Sequence, residues 1–388
     1  MCSRYLLLNR NSLRLRASAN RPDWRRYPRL IALAWLRSTA PRCPHLLGVV
    51  APCVVLARRA FACFRSCLKT RYARWELAAA GLIGLLITSS PALAWNSNGH
   101  MMVAYIAYNK LTPAVRARVD DLLKRNPYYS KWEMPTPLAV SEAEKNLRVF
   151  MLAATWPDEI KVHDWRYTDD GTRNGDRANG GSSSQNVGYG DTLRHKYWHF
   201  VEMPFTSDGS RLPPIPTPNA QERIHLFRTV LASTTESDDL KSYDLTWLMH
   251  VIGDVHQPLH VATRVSATEP DGDQNGNLVS LCSAPCKNTL RAFWNTILGT
   301  EATVTAAKHL AKTLVAAPAA DAAVLDEAVW VQESFELAQS KVYRSPIGAG
   351  LGPFTVTPGY RSTAKSVARK QIALAGARLG NVLNAELR

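Results

Sequence analysis

The residues most able to do chemistry lie in Trp247-Leu-Met-His250-Val-Ile-Gly-Asp254-Val-His256-Gln-Pro-Leu-His260. His250 and Asp254 are four apart on a helical pattern, so both side chains leave one face. An imidazole and a carboxylate one turn apart can grip a borderline cation such as zinc. Pro258 ends or bends the helix, which lets His260 approach from the following turn. His256 lies about 240° around the helix from His250, so a buried, hydrogen-bonded structural role suits it better. A single His-x3-Asp pair is more often an ordinary helical ion pair. Three further segments favour a metal: Trp95-Asn-Ser-Asn-Gly-His100, Thr155-Trp-Pro-Asp158 and Tyr197-Trp-His199-Phe200.

Helices must position these groups. Thr112-Pro113 caps and starts a segment running to about Arg125. Ser141-Glu-Ala-Glu144 has capping-box spacing and opens another toward Trp156. Further helical patterns cover about 219–233, 243–257, 288–298, 302–316, 321–342 and 361–384. Strand-like alternation is limited to short pieces around 197–203 and 277–281. The Gly/Ser/Asn-rich stretch 169–191 and the Pro-rich stretch 203–219 read as surface loops, either of which could rim a cleft. The fold class expected is all-α, a single mainly helical domain with long loops.

Charge separates this domain from what precedes it. The chain has 388 residues, 47 Lys/Arg and 32 Asp/Glu. Residues 1–94 hold 16 of the basic residues against only Asp23 and Glu76, leaving 31 basic and 30 acidic in 95–388. The body of the protein is nearly neutral, so the net charge of +15 says nothing about what it acts on or binds. Within 69–94, Arg71 and Arg74 precede the apolar run 77–87, and Ala92-Leu-Ala94 matches a small-x-small cleavage site. This reads as a signal peptide cut after Ala94, with a periplasmic or secreted product. A membrane anchor is the competing reading, for which the run is short. Residues 1–68 are Arg-rich and acid-poor and are not expected to belong to the folded domain. After cleavage only Cys282 and Cys286 survive, and in an oxidising compartment a small-loop disulfide is the natural reading.

Together the motif segments resemble the zinc-dependent single-strand-specific nucleases of the S-one/P-one type, across about 95–385. The string Gly253-Asp-Val-His-Gln-Pro-Leu-His260 is the most specific part. Asp273-Gln-Asn-Gly-Asn277 resembles the family's Asp-x-Gly-Gly-Asn turn, and Ala375-Gly-Ala-Arg-Leu379 its C-terminal helix. The resemblance implies a helical fold around buried zinc, Zn2+ being the cofactor. By motif, Asp158, His199 and His250 would hold one ion. The Trp95 amino group and carbonyl, with His100, would hold its neighbour, and Asp254 would bridge them. A free α-amino group has an ordinary pKa near 8 and can become a neutral ligand, which gives signal cleavage a chemical role. Lys161 stands where the family often has an arginine near the phosphate. Phe200 reads either as a base-stacking face or as core packing, and Asn277 as a substrate contact.

One part departs from the pattern. The family's third zinc site uses the last histidine of the string, here His260, with a His-x3-Asp pair downstream. Aligned on Trp294, Arg291 replaces that histidine and Asn295 the aspartate. A guanidinium cannot donate a lone pair and an amide is a weak ligand. About two zinc ions are therefore expected. Either Arg291 pins a phosphate oxygen, or the site has decayed to leave a slow enzyme or one of altered substrate scope. The plainest alternative is an Arg291 solvated on the surface. The activity expected is hydrolysis of single-stranded DNA and RNA, with 3′-nucleotidase activity a further expectation. The alternatives are a nucleotide- or zinc-binding pseudoenzyme and a zinc-dependent phospholipase C.

Overall fold

In the computed structural model, the described residues are 95–134, 140–162, 193–285 and 287–388. Residues 1–94, where the signal-peptide reading falls, Cys286 and the stretch 169–191 lie outside them. The chain runs through α1 (Ser97–Lys110), α2 (Pro113–Lys124), α3 (Tyr129–Glu133), α4 (Glu142–Ala153) and α5 (Trp156–Val162). A 3-10 turn at Lys196–His199 and strand β1 (Met203–Thr206) follow, then α6 (Ala220–Ala232), α7 (Asp238–Val255) and short α8 (Pro258–Val261). Strand β2 (Ala262–Val265), α9 (Leu290–Thr296), α10 (Val304–Lys312) and α11 (Ala319–Ala322) come next. The last are α12 (Glu327–Leu337), a π-helical turn at Ala338–Val342, and α13 (Pro358–Glu386). The fold is mainly helical, and none of the described helices is long and apolar enough to cross a membrane.

Side-chain caps set several helix starts. Thr112, Ser141, Asn219 and Ser237 each accept a hydrogen bond from a backbone N–H in the first turn of α2, α4, α6 and α7 respectively. Helix α7 is buried at every position from Leu240 to Val255. A helix covered all round belongs at the centre of a domain, and the cluster residues His250 and Asp254 are its last turns. The long α13 lies along α1. A Cβ at Gly376 would come within 2.6 Å of Ile106, so glycine permits this close approach.

Strand placement differs from the sequence reading. Residues 196–199 form a 3-10 turn and Ser280 makes only an isolated bridge to Thr289. The strands are instead 203–206 and 262–265, a parallel pair in register Met203↔Ala262. Neither has a period-2 apolar pattern, because one contains Pro204 and the other is buried on both faces. The pairing continues backwards through Val201 N–H to His260 C=O, 2.9 Å, which fastens the His199 segment beside His260. The long helix expected at 321–342 is broken after Ala322. Helix α1 lacks an amphipathic stripe because most of its residues are buried, and periodicity gave no signal for it.

One core residue is costly. Asp244 on α7 is fully buried, and neither carboxylate oxygen has a hydrogen-bond partner. Burial pushes its pKa well above the ordinary carboxylate value, against the pull of Arg223. The folded state thus keeps a proton that the unfolded chain releases, so stability falls as pH rises above the unfolded value near 4. Asp244→Asn removes the ionisation at nearly constant volume. It is expected to stabilise the protein by about 1–3 kcal/mol at neutral pH and much less near pH 4. Denaturant melts at the two pH values check this; equal effects at both would contradict it.

Candidate metal centre

Five buried groups converge where α1, α5, the 3-10 turn and α7 meet: His100, Asp158, His199, His250 and Asp254. Asp254 sits at their middle. Its Oδ2 lies 3.0 Å from His199 Nδ1 and 3.3 Å from His250 Nε2, and its Oδ1 lies 3.4 Å from His100 Nε2. Asp158 Oδ1 is 3.8 Å from His250 Nε2 and 3.9 Å from His199 Nδ1. The rings of His100 and His250 stack at 3.8 Å.

Local structure aims each group. The i,i+4 spacing on α7 puts His250 and Asp254 on one face, and His250 Nδ1–H donates to Ala154 C=O at 2.8 Å. That bond directs the His250 Nε2 lone pair into the cluster. Gly253 lets the His100 ring reach α7, since a Cβ there would fall 2.9 Å from His100 Nδ1. His195 and Glu202, with φ of 48° and 61°, hold left-handed backbone on either side of His199-Phe200. Such strain in non-glycine residues accompanies a chain forced across a site. Trp247 stands edge-on to His199, with ring centroids 5.4 Å apart, and closes the apolar side.

The donor atoms suit a cation. Both Asp158 oxygens, Asp254 Oδ1, both His100 nitrogens and His199 Nε2 are buried without a hydrogen-bond partner. Buried polar atoms are rarely left so, and this many in one cluster point to an ion. Two triads have ligand atoms within 4.8 Å of one another: His100, Asp158 and His250, and His199, His250 and Asp254. His250 belongs to both, so the side chains do not divide cleanly into the two ligand sets the resemblance implied. Asp254 touches members of both implied sets.

Electrostatics agree. Burial pushes Asp254 up, but its imidazole neighbours, His250 foremost, outweigh it and hold the carboxyl well below its usual range. Burial likewise raises Asp158, and the Lys161 charge foremost pulls it below. Burial and the Lys161 charge push His199 down to about 3, so it is a neutral donor. Lys161 Nζ lies 3.0 Å from Asp158 Oδ1.

The remaining predicted residues lie around this cluster. Trp95 is buried, and the next residue's N–H bonds to Asn295 C=O, placing the start of α1 against α9. Phe200 is partly buried beside His199, with Arg291 4.3 Å and Lys161 5.7 Å from its ring centre. Asn277 ends the turn 273–277 and is not among the cluster's donors. That turn positions Arg291, whose N–H donates to Gly276 C=O at 3.3 Å. His260 is buried 3.7 Å from Asp254 but belongs to neither triad. His256 faces away, donating to Ile252 C=O and accepting from Arg378. Sequence reading missed the Ala154 carbonyl and Gln257, whose amide donates to Asn295 Oδ1. Gln257 lies within the motif string, which was its one available signal.

Fold and site together define a helical domain whose buried carboxylates and imidazoles form a set able to hold metal. Residues 95–388 match the S1/P1 Nuclease family model, and the chain belongs to that family. It is also similar to Endonuclease 4 of Arabidopsis thaliana, 27% identical over 220 residues. That match covers 53% of this chain and 56% of the plant protein, so the chain spans about half the length of this curated relative.

Proposed function

We propose that this protein is an exported zinc-dependent endonuclease that hydrolyses phosphodiester bonds of single-stranded DNA and RNA, with 3′-nucleotidase activity. The observation that carries the reading is the buried cluster of His100, Asp158, His199, His250 and Asp254 with its partnerless donor atoms. Imidazole and carboxylate donors are what zinc takes. When bound, a pair of such ions supplies an acidified water and stabilises charge on the phosphoryl oxygens.

The chain's own residues do the rest. Asp254 lies between the ligand groups and balances charge there. His250 is held in one tautomer by the Ala154 carbonyl. Lys161, with its side chain 11% exposed, sets a positive charge beside Asp158 at the edge of the cluster, where a phosphate would arrive. Phe200 offers an aromatic surface next to the cluster, which suits unpaired bases because a duplex hides its base faces. Asp158 and Asp254 would thus serve the reaction by holding the metal, and Lys161 by meeting the phosphate directly. Export follows from the leader reading, with the domain beginning at Trp95 and a Cys282–Cys286 bridge formed outside the cytoplasm.

The test is one zinc-loaded preparation assayed on single-stranded DNA, duplex DNA, RNA and phosphatidylcholine. Hydrolysis of the single strands, at least tenfold faster than duplex, is expected. Cleavage of phosphatidylcholine alone would replace the reading by a phospholipase C. Full zinc with no turnover on any of them would replace it by a binding protein.

A further inference from the structure

Arg291 is an unusual cation. It is 1% exposed, and among the described residues no carboxylate lies within ion-pair distance of it. A buried charge is ordinarily paired, because losing water costs several kcal/mol. Its one side-chain hydrogen bond goes from Nη2 to His260 Nε2, at 3.1 Å. Nε is buried with no partner. The guanidinium packs 4.3 Å from the Phe200 ring centre, and beyond His260 lies Asp254, the middle of the metal cluster.

The hydrogen bonds settle the state of His260. Its Nδ1–H donates to His199 C=O at 3.0 Å, so Nε2 carries the lone pair, and that lone pair accepts from Arg291. Burial first, then the Arg291 charge, holds His260 neutral, well below the usual imidazole range. The nitrogen that would otherwise serve a metal is occupied. Asn295 Oδ1 is likewise taken by the Gln257 amide. These three residues do not fit a third metal ion. Burial pushes Arg291 down to about 10, which leaves it charged at neutral pH.

We infer that Arg291 is a built-in third cation: its guanidinium takes the position of a metal ion beside the dinuclear centre and binds a phosphoryl oxygen of the substrate. The inference deepens the nuclease reading and rests on it for the identity of the substrate. Three observations point to an anion there: the missing carboxylate partner, the unpartnered Nε–H and the neighbouring ligand cluster. A guanidinium presents several N–H donors in a planar fork that matches phosphate oxygens. Unlike a bound ion, it cannot be lost to a chelator.

The experiment measures zinc per chain, and inorganic phosphate binding by calorimetry, on zinc-loaded protein. It compares the natural sequence with Arg291→Gln, Arg291→Lys and the pair Arg291→His with Asn295→Asp. The natural protein is expected to hold two zinc ions. Arg291→Gln keeps two and binds phosphate at least tenfold more weakly, and Arg291→Lys falls between. The paired substitution raises the count to about three, since three protein ligands make a workable zinc site. Should Arg291→Gln fail to fold by circular dichroism, the lysine variant and the paired variant still decide. Three tightly held zinc ions in the natural protein would overturn the inference, as would phosphate affinity unchanged in both single variants. Absence of nuclease activity alongside Arg291-dependent phosphate binding would overturn only the nuclease reading.

Discussion

Asp254→Asn is expected to strip metal from the centre and lower turnover by a factor on the order of 10³ or more. Asp254 is fully buried with four imidazole nitrogens between 3.0 and 3.7 Å from its oxygens. It is the carboxylate whose oxygens lie within 3.4 Å of imidazoles from both implied ligand sets. On the zinc reading, an asparagine of the same shape would remove a full negative charge from between two dications. Their repulsion is poorly screened in a desolvated site, and a neutral amide offsets little of it. An amide N–H would also face imidazole nitrogens that ought to be donors. The helical core is formed by other residues, so circular dichroism should be nearly unchanged. Metal analysis and single-strand turnover are read together. A variant with full zinc and near-normal rate would refute the central role of Asp254.

The second large effect concerns the first residue of the domain. A protein beginning with one extra alanine before Trp95 is expected to lose a zinc ion and on the order of 100-fold or more in activity. The added residue turns an amine into an amide nitrogen, which has no available lone pair for a metal. The surroundings allow little adjustment. Trp95 is 1% exposed, Asn96 N–H bonds to Asn295 C=O, and the Asn96 side chain donates to Gly299 C=O. A Cβ at Gly99 would come within 2.6 Å of the Trp95 Cβ, so the ring is packed directly on the helix that follows. An extended variant with unchanged zinc content and rate would remove the terminal amine from the ligand set. N-terminal sequencing of exported protein supplies the complementary check on cleavage after Ala94.

The sites separate by how locally their geometry is decided. The His250–Asp254 pair was legible because four residues make about one helical turn, whatever the rest of the fold does. The starts of α2 and α4 were legible for the same reason: Thr112 and Ser141 bond to backbone N–H groups three residues on. His100, Asp158 and His199 carry no such local rule. They were found through a family pattern, not through physics visible along the chain.

The amino-acid sequence by itself determined that the domain is helical, that His250 and Asp254 share a face, and that Arg291 and Asn295 cannot serve as a histidine and an aspartate would. These follow from backbone periodicity and from the chemistry of single side chains. Only the tertiary structure decided that Arg291 is buried rather than solvated, that it uses up the His260 lone pair, and that Gln257 takes Asn295. It also decided that β1 and β2 pair in parallel and lock His199 beside His260. Each of these contacts joins residues about 30 to 60 positions apart. Hydrogen-bond partners at that separation are set by packing of the whole core, which no local pattern encodes.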